Sequence, residues 1–487
     1  MRVLELLRLS TVGGIALAVL SCAHSASPPA PASEEPYTRA VSAPTAARRA
    51  PRATRPGPLV PVERVLNRDS GLTVAEVVDV ALQNNPDTRA AWADARAANA
   101  GYRSAKGAWL PSVTLSGSVT RSESGRTEDG PENPVTDYSA AASLSYLILD
   151  FGGRAASVDE YRQAFFAEEW TRNAVIQGTV LQAEVAFFSY AGAKAMLEAN
   201  TTSLAEAEAN LAAAEERKRV GLATIADVLQ AKTALSEVKL AVLESEGQVR
   251  TARASLAASM GYSPDAATEL DVSAPEIPDT VLTATVDELI QRALAGNPEL
   301  QAARATSRES SARVTQAWSR MLPSLSASGY LNRTWPRHDP DYTESYSGTL
   351  QVQFPIFTGF SQQFDLFQAR AQAEAQRERT RGVEQATALN VFSAHSDFLT
   401  AVEKLTVADD LMASALQSEE AASGRYRAGV GSILDLLSAQ RVLAVARAVQ
   451  VNARLSWFTA LTQLAYDVGV LAPDGSNPLV PDAFVPR

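Results

Sequence analysis

Two long stretches of the chain carry apolar residues at the heptad spacing that is typical of helices packed side by side. The first stretch, residues 154–219, contains no proline, and the second repeats the spacing over residues 391–412. At 1.5 Å per residue such helices extend to about 100 Å, which is too long for the core of one compact domain. The apolar positions are Ile176, Val180, Ala183, Phe187, Tyr190, Leu197, Leu204 and Leu211 in the first stretch, and Val391, Phe398, Leu405 and Met412 in the second.

A second pattern, the alternation of apolar and small polar residues, predicts strands. It runs through residues 113–120 and 346–354, and residues 139–149 and 325–333 are suited to pair with them. Alternation over about ten residues, with aromatic residues near the ends, is typical of outer-membrane barrel strands. A soluble sheet with one hydrated face shows the same alternation, so these segments alone leave both interpretations open.

Both patterns occur twice because the chain is a tandem duplication. The segment "RKRVGLATIADVL" at residues 217–229 aligns with "RYRAGVGSILDLL" at residues 425–437, with six identities in thirteen positions. We therefore expect a first structural repeat at residues 62–275 and a second at 276–470, each with a helix, two strands and two long helices, followed by a tail at 471–487. Further matching positions are the pairs Asn85-Pro86 and Asn297-Pro298 and the glycines Gly152 and Gly359.

The N-terminus has the composition of a secretion signal. Arg2 and Arg8 precede a short apolar stretch that ends at Cys22, which is the only cysteine of the chain. This arrangement predicts a signal peptide at residues 1–21 and acylation of Cys22 after cleavage; ordinary cleavage a few residues later, with loss of Cys22, is the alternative. Residues 22–61 are rich in proline and alanine and predict an extended, lipid-anchored tether.

Composition narrows the possible functions. The net charge of −11 argues against nucleic-acid binding, which requires a basic surface. A single cysteine and three widely spaced histidines leave no metal-binding motif, and there is no glycine-rich phosphate loop and no nucleophile motif. We therefore expect no enzymatic activity and no cofactor.

The duplicated segment predicts a tight helical hairpin in each repeat. Arg217 and its basic neighbours complement the C-terminal helix dipole, and Gly221 can adopt the left-handed conformation that ends a helix. Thr224 and Asp227 have the spacing of a capping box that starts the next helix. Gly429, Ser432 and Asp435 repeat this arrangement in the second half. Helix capping is therefore a sufficient explanation for both aspartates, and it is compatible with a further role.

The number of predicted strands indicates that several chains assemble. Polar backbone groups must be paired in lipid, so membrane strands close into a barrel, and the smallest closed barrels have about eight strands. One chain supplies four predicted strands and cannot close, whereas three chains would supply twelve. Three chains would also bring together enough long helices for a tube.

With these features the chain resembles the outer-membrane efflux protein family, whose members form TolC-like channels. The resemblance covers about residues 70–470 and rests on the duplication, the paired "NP" segments, "LDFGGR", "IFTGF" and both hairpin tips. It implies a mainly α fold with a transmembrane β portion: a homotrimer whose β-barrel continues as a long α-helical barrel across the periplasm. It also implies export of drugs, other small molecules or proteins from the periplasmic side, through an adaptor protein and an inner-membrane transporter of the RND or ABC type.

The resemblance further implies a gate at the periplasmic helix tips. Asp435 matches an entrance aspartate, Ser438 stands where another aspartate is usual, and Arg441 matches a basic residue of similar members. Asp227 and Tyr426 match the two sides of a latch between helix pairs. A second latch donor is usually arginine, but this chain has a glycine, Gly431.

The turns at Gly221 and Gly429 are expected to contact the adaptor. The alternative to a channel is a structural periplasmic coiled-coil lipoprotein without channel activity. It accounts for the heptads and for Cys22, but not for four alternating strands placed symmetrically in both repeats.

Overall fold

A computed structural model describes residues 59–61, 71–122, 135–267, 270–273, 277, 284–336, 341–472 and 479. The predicted signal peptide, Cys22, nearly all of the tether and most of the C-terminal tail lie outside the described residues.

The same order of elements occurs twice along the chain. Two short helices lead into two strands, and two long helices follow. The first repeat contains α1 (Val74–Asn84), α2 (Pro86–Lys106), β1 (Ser112–Ser122), β2 (Val135–Leu149), α3 (Gly153–Arg219) and α4 (Ile225–Ser259). The second contains α5 (Val286–Gly296), α6 (Pro298–Ser319), β3 (Ser324–Pro336), β4 (Thr343–Gln353), α7 (Ser361–Arg427) and α8 (Ile433–Val468).

Both α3 and α7 have 67 residues, so each is about 100 Å long. The mainly helical architecture with a smaller strand portion agrees with the sequence prediction. Among the helices that the structure describes, none combines the length and the apolar character that crossing a bilayer requires.

The paired "NP" segments mark corresponding breaks between two helices. Asn85 ends α1 and caps α2, because its Oδ1 atom accepts the backbone N–H of Asp87 at 2.8 Å. Asn297 performs the same role between α5 and α6 and accepts the N–H of Glu299 at 3.0 Å. A proline follows each asparagine at the first helical position, where its missing N–H costs nothing.

The four strands form one antiparallel sheet in the order β1-β2-β3-β4. Residues opposite one another in the register share a face, and this separates the sheet into an apolar and a polar side. The apolar side has no cover within the described chain: Leu115 is 75 % exposed and Tyr346 is 85 % exposed. The polar side is formed by residues such as Thr114, Ser116, Ser118, Ser139, Ser143, Asn332, Thr334, Ser345 and Ser347.

Arg154 holds the sheet to the helices at the start of α3. Its guanidinium donates to the carbonyl oxygens of Leu147 at 2.7 Å and Ala108 at 3.3 Å, and it stacks on Trp109 at 4.0 Å. The preceding Gly152 has φ +92°, a backbone conformation that favours glycine. The end of β2 is thereby fixed against the helical part of the repeat.

The main apolar core lies around the middle of α3 and α7 and at the ends of α4 and α8 that are farthest from the hairpin tips. Toward the tips the buried residues become smaller. Phe187 and Phe188 of α3 and Phe458 and Leu461 of α8 are buried there. Further along α3 the leucines of the predicted heptad stripe are only half-buried. Small residues take over the buried positions, because they allow close approach of helix backbones: Ala207 and Ala214 in α3, and Ala408 and Ala415 in α7.

Candidate functional site at the helix tips

Each hairpin tip closes through a glycine in the left-handed conformation. Gly221 and Gly429 both have φ +79°. In the first tip the N–H of Gly221 donates to Lys218 O at 3.0 Å, and that of Leu222 donates to Arg217 O at 2.8 Å. The second tip repeats this pair of bonds after α7. The arrangement is a Schellman motif, which satisfies the last carbonyl groups of a helix.

The two predicted aspartates start the helices that follow. Asp227 accepts the backbone N–H of Thr224 at 2.7 Å through Oδ2, and its own N–H donates to Thr224 Oγ1 at 3.2 Å. Asp435 and Ser432 make the same reciprocal bonds at 3.4 and 3.1 Å. Both capping boxes are therefore present, and the Asp435 side chain is additionally exposed at the end of the molecule.

Tyr426 lies inside a small apolar cluster that joins the two tips. Its ring is buried among residues of α3, α4 and α8, including Ala214, Val228 and Ile433. Within the part of the chain that the structure describes, the Tyr426 hydroxyl has no hydrogen-bond partner. The latch expected between Tyr426 and Asp227 is thus not formed through this hydroxyl inside one protomer.

Arg217 makes the cross-tip contact instead. Its guanidinium donates to the Tyr426 carbonyl at 2.5 Å and stacks on the Tyr426 ring at 4.5 Å. The sequence predicts for Arg217 only an interaction with the dipole of its own helix. The contact with Tyr426 depends on how α3 and α7 are placed side by side, and residue spacing carries no information about this.

Gly431 occupies a crowded position. A Cβ added there would lie 3.1 Å from the Tyr426 backbone nitrogen and 3.1 Å from the Arg425 Cβ. The Gly431 N–H also donates to the Arg425 carbonyl at 3.1 Å. A side chain at position 431 would therefore require these neighbours to shift.

Ser438 and Arg441 lie one to two turns further along α8. Both line a groove of about 680 Å³ between α3, α4 and α8. Arg441 pairs with Glu237 of α4, with 3.2 Å between Nη2 and Oε2. The described residues contain no group of three or more His, Cys, Asp or Glu that could hold a metal ion. The tips therefore combine helix caps, cross-helix polar contacts and an exposed carboxylate at Asp435.

Known proteins are similar to this chain in sequence and in architecture. The model of the outer membrane efflux protein family matches residues 77–262 and 289–469. Protein CyaE of Bordetella pertussis is 28 % identical over 433 residues, covering 85 % of this chain and 88 % of the relative. The antibiotic efflux pump outer membrane protein ArpC of Pseudomonas putida is 24 % identical over 406 residues, covering 81 % and 82 %.

The fold agrees with a solved channel. The Campylobacter jejuni CmeC outer membrane channel superposes with a TM-score of 0.74 at 18 % identity, covering 83 % of this chain and 90 % of that one. This similarity confirms the predicted fold class, and the family match spans well over half of the sequence. The chain belongs to the outer membrane efflux protein family.

Proposed function

We propose that three copies of this outer-membrane efflux channel close one duct, which an adaptor connects to an inner-membrane transporter. The observation that carries the proposal is the sheet. Its edge strands β1 and β4 have no further strand partner within the described chain, and its apolar face is bare. Joining β4 of one copy to β1 of the next would pair the backbone groups of both edges, as lipid requires.

The two ends of the molecule have surfaces that suit two different partners. The apolar face of the sheet suits outer-membrane lipid. At the opposite end, the turns at Gly221 and Gly429 present exposed apolar residues, Leu222 and Val430, which suit contact with a periplasmic adaptor. The chain has no nucleotide-binding motif, so an inner-membrane transporter of the RND or ABC type would supply the energy for export.

We propose that Asp435, Ser438 and Arg441 form the periplasmic gate. Asp227 and Tyr426 are the proposed latch, which would have to form by a change at the tips, because the Tyr426 hydroxyl has no hydrogen-bond partner among the described residues. Support comes from the exposed position of Asp435 and from the Arg441–Glu237 pair beside it. In a threefold assembly Asp435 would occur as a ring, and rings of carboxylates favour cations.

Planar-bilayer recording of the detergent-extracted protein, with its oligomer mass measured in parallel, tests the duct. We expect a trimer with discrete conductance steps. Asp435→Asn retains a capping acceptor but removes the charge, so it should lower the cation-to-anion permeability ratio several-fold, because each carboxylate contributes about 0.5 kcal/mol at roughly 8 Å in water.

Glu198→Gln, which removes an exposed carboxylate of α3 far from the tips, serves as the control and should leave the ratio unchanged. An unaltered ratio in Asp435→Asn would contradict its place at the constriction. A monomer that stays soluble without detergent and gives no steps would contradict the duct, and would favour the structural coiled-coil lipoprotein.

We also propose that Cys22 carries the lipid anchor. The lone cysteine directly follows the apolar signal segment, and acyl chains bury favourably in a bilayer. Metabolic labelling with an alkyne-bearing palmitate analogue should mark the natural chain and not Cys22→Ser. Equal labelling of both chains would contradict acylation at this residue, whereas an unlabelled natural chain would indicate cleavage beyond it.

A further inference from the structure

The end of the predicted tether is fastened to the first repeat through one residue, Val60. Its N–H donates to Asn84 Oδ1 at 2.7 Å, and Asn84 Nδ2 donates back to the Val60 carbonyl at 3.0 Å. The Tyr262 hydroxyl donates to the same carbonyl at 2.9 Å. Asn84 is the last residue of α1, and α2 begins two residues later. The tether therefore joins the body at the start of α2, about 30 Å from the end of α2 that leads into the sheet.

A groove of about 390 Å³ between α2 and α3 begins next to this attachment. Asp87, Ala91 and Asp94 line it on α2, and Glu168 and Gln182 line it on α3. We call it the tether groove. Its three carboxylates form no ion pair with any residue that the structure describes. The groove is therefore a negatively charged surface that suits a cationic segment.

The floor of the tether groove contains a buried donor with no acceptor. Arg172 lines the groove and is fully buried. Its Nη1 and Nη2 atoms donate to Glu169 and Asn173, whereas its Nε atom has no hydrogen-bond partner within the described part of the chain. Because buried N–H groups are nearly always paired, this donor indicates a further acceptor, and the carbonyl oxygen of an extended segment in the groove would supply one.

The equivalent surface of the second repeat has lost most of this charge. At the same positions along the helices, Thr306 of α6 replaces Asp94, and Gln376 of α7 replaces Glu168. Two of the three carboxylates are therefore present only in the repeat to which the tether is fastened.

The tether is basic just before its attachment. Arg49, Arg52 and Arg55 recur at every third residue, with prolines between and after them. Proline favours the polyproline II conformation, which has three residues per turn and rises 3.1 Å per residue, so the arginines would share one face at intervals of about 9 Å. Asp87 and Asp94 share one face of α2 at an interval of about 10 Å. The two rows of opposite charge thus have nearly the same spacing.

We propose that residues 49–55 lie in the tether groove, with Arg55 beside Asp87 and Arg52 beside Asp94. In this register the tether runs antiparallel to α2, from the attachment toward the sheet and the membrane. Docking fixes the tether against the first repeat, so that only the residues before it remain to reach the bilayer. It requires neither conduction through the duct nor acylation near the N-terminus.

A disulfide between cysteines introduced by Thr54→Cys and Ala91→Cys tests the docking in the full-length, detergent-extracted protein. Thr54 lies between two of the arginines, and Ala91 lies between the two aspartates. The matched control is Thr54→Cys with Ala303→Cys, because Ala303 takes the position of Ala91 in the second repeat and is likewise half-buried. The rate of bond formation under mild oxidation is followed by peptide mass mapping, which separates this bond from any that Cys22 makes.

We expect the first variant to cross-link at least tenfold faster than the control. Adding Asp87→Asn and Asp94→Asn should slow the first variant about fivefold, because two ion pairs are lost. Adding Asp397→Asn and Asp410→Asn instead, which removes two exposed carboxylates of α7, should leave its rate unchanged.

Equal rates in the two cysteine variants would overturn the docking. A first variant that does not cross-link, although its circular dichroism matches that of the natural chain, would also overturn it. A rate that is insensitive to Asp87→Asn with Asp94→Asn would contradict the charge pairing on which the register depends. A protein that cross-links as expected but gives no conductance steps would contradict the duct and leave the docking in place.

Discussion

Replacing Arg172 by methionine is expected to lower the free energy of unfolding by about 3–5 kcal/mol. The Arg172 guanidinium is fully buried, donates to Glu169 Oε1 at 3.0 Å and to Asn173 Oδ1 at 3.1 Å, and stacks on Trp92 at 4.5 Å. Burial raises the pKa of Glu169, and the charge of Arg172 opposes this effect. Without Arg172, the Glu169 carboxyl must stay buried without its partner or take up a proton.

Guanidinium-induced unfolding of the detergent-solubilised protein, followed by circular dichroism, measures this loss. Arg381→Met is the matched control, since Arg381 and Glu378 have the same spacing on α7 but are both exposed, and exposed pairs contribute only about 0–1 kcal/mol. The double variant Glu169→Leu with Arg172→Met should recover much of the stability. Equal losses in Arg172→Met and Arg381→Met would contradict the role of burial.

The elements that repeat in sequence could be predicted from sequence, because each is specified locally. The alternation in residues 113–120 lies within β1, and that in residues 346–354 follows β4 up to its last residue, Gln353. Both capping boxes occur where Thr224 and Ser432 indicate them. Strand alternation and caps depend on neighbours a few residues away. Because the chain is duplicated, each of these predictions is supported by two matching segments.

The buried charges could not be predicted, because their environment is set by other helices. Glu169 and Arg172 are polar positions on a long helix that also carries many exposed charges, and nothing local distinguishes them. Trp92, which covers Arg172, belongs to α2. The contact between Tyr426 and Arg217 likewise cannot be predicted from local sequence, because the two residues are 209 positions apart. Contacts between distant segments follow from packing and not from spacing.

Glu184 is a second buried carboxyl of this kind, at the contact of α3 with α8. Its Oε2 atom accepts the hydroxyl of Thr462 at 2.9 Å, and its Oε1 atom has no partner within the described residues. Burial raises the pKa of Glu184 from 4.5 to about 7, and the bond from Thr462 offsets part of this effect. The folded protein therefore holds a proton here that the unfolded chain releases at lower pH.

The natural chain is expected to lose stability as the pH rises from about 4.5 to about 7, and Glu184→Gln is expected to abolish this pH dependence. In that window the folded state keeps the proton and the unfolded state does not, so the free energy of unfolding falls as pH rises. A pKa change from 4.5 to about 7 corresponds to about 3 kcal/mol. Glutamine is neutral throughout and its amide oxygen can still accept the Thr462 hydroxyl. The variant should therefore match the natural chain near pH 4.5 and exceed its stability by about 3 kcal/mol at pH 8.

Guanidinium unfolding at a series of pH values measures the difference between the two chains. Glu198→Gln, two heptads further along α3 at an exposed position, controls for loss of a carboxylate from the same helix and should leave the pH dependence of the natural chain in place. Other titrating groups contribute equally to both chains, so only the difference in stability between them is diagnostic. If Glu184→Gln and the natural chain differ by the same amount at pH 4.5 and pH 8, the pKa of Glu184 is not raised in the folded protein, and the buried contact between α3 and α8 holds a carboxylate that is charged at neutral pH.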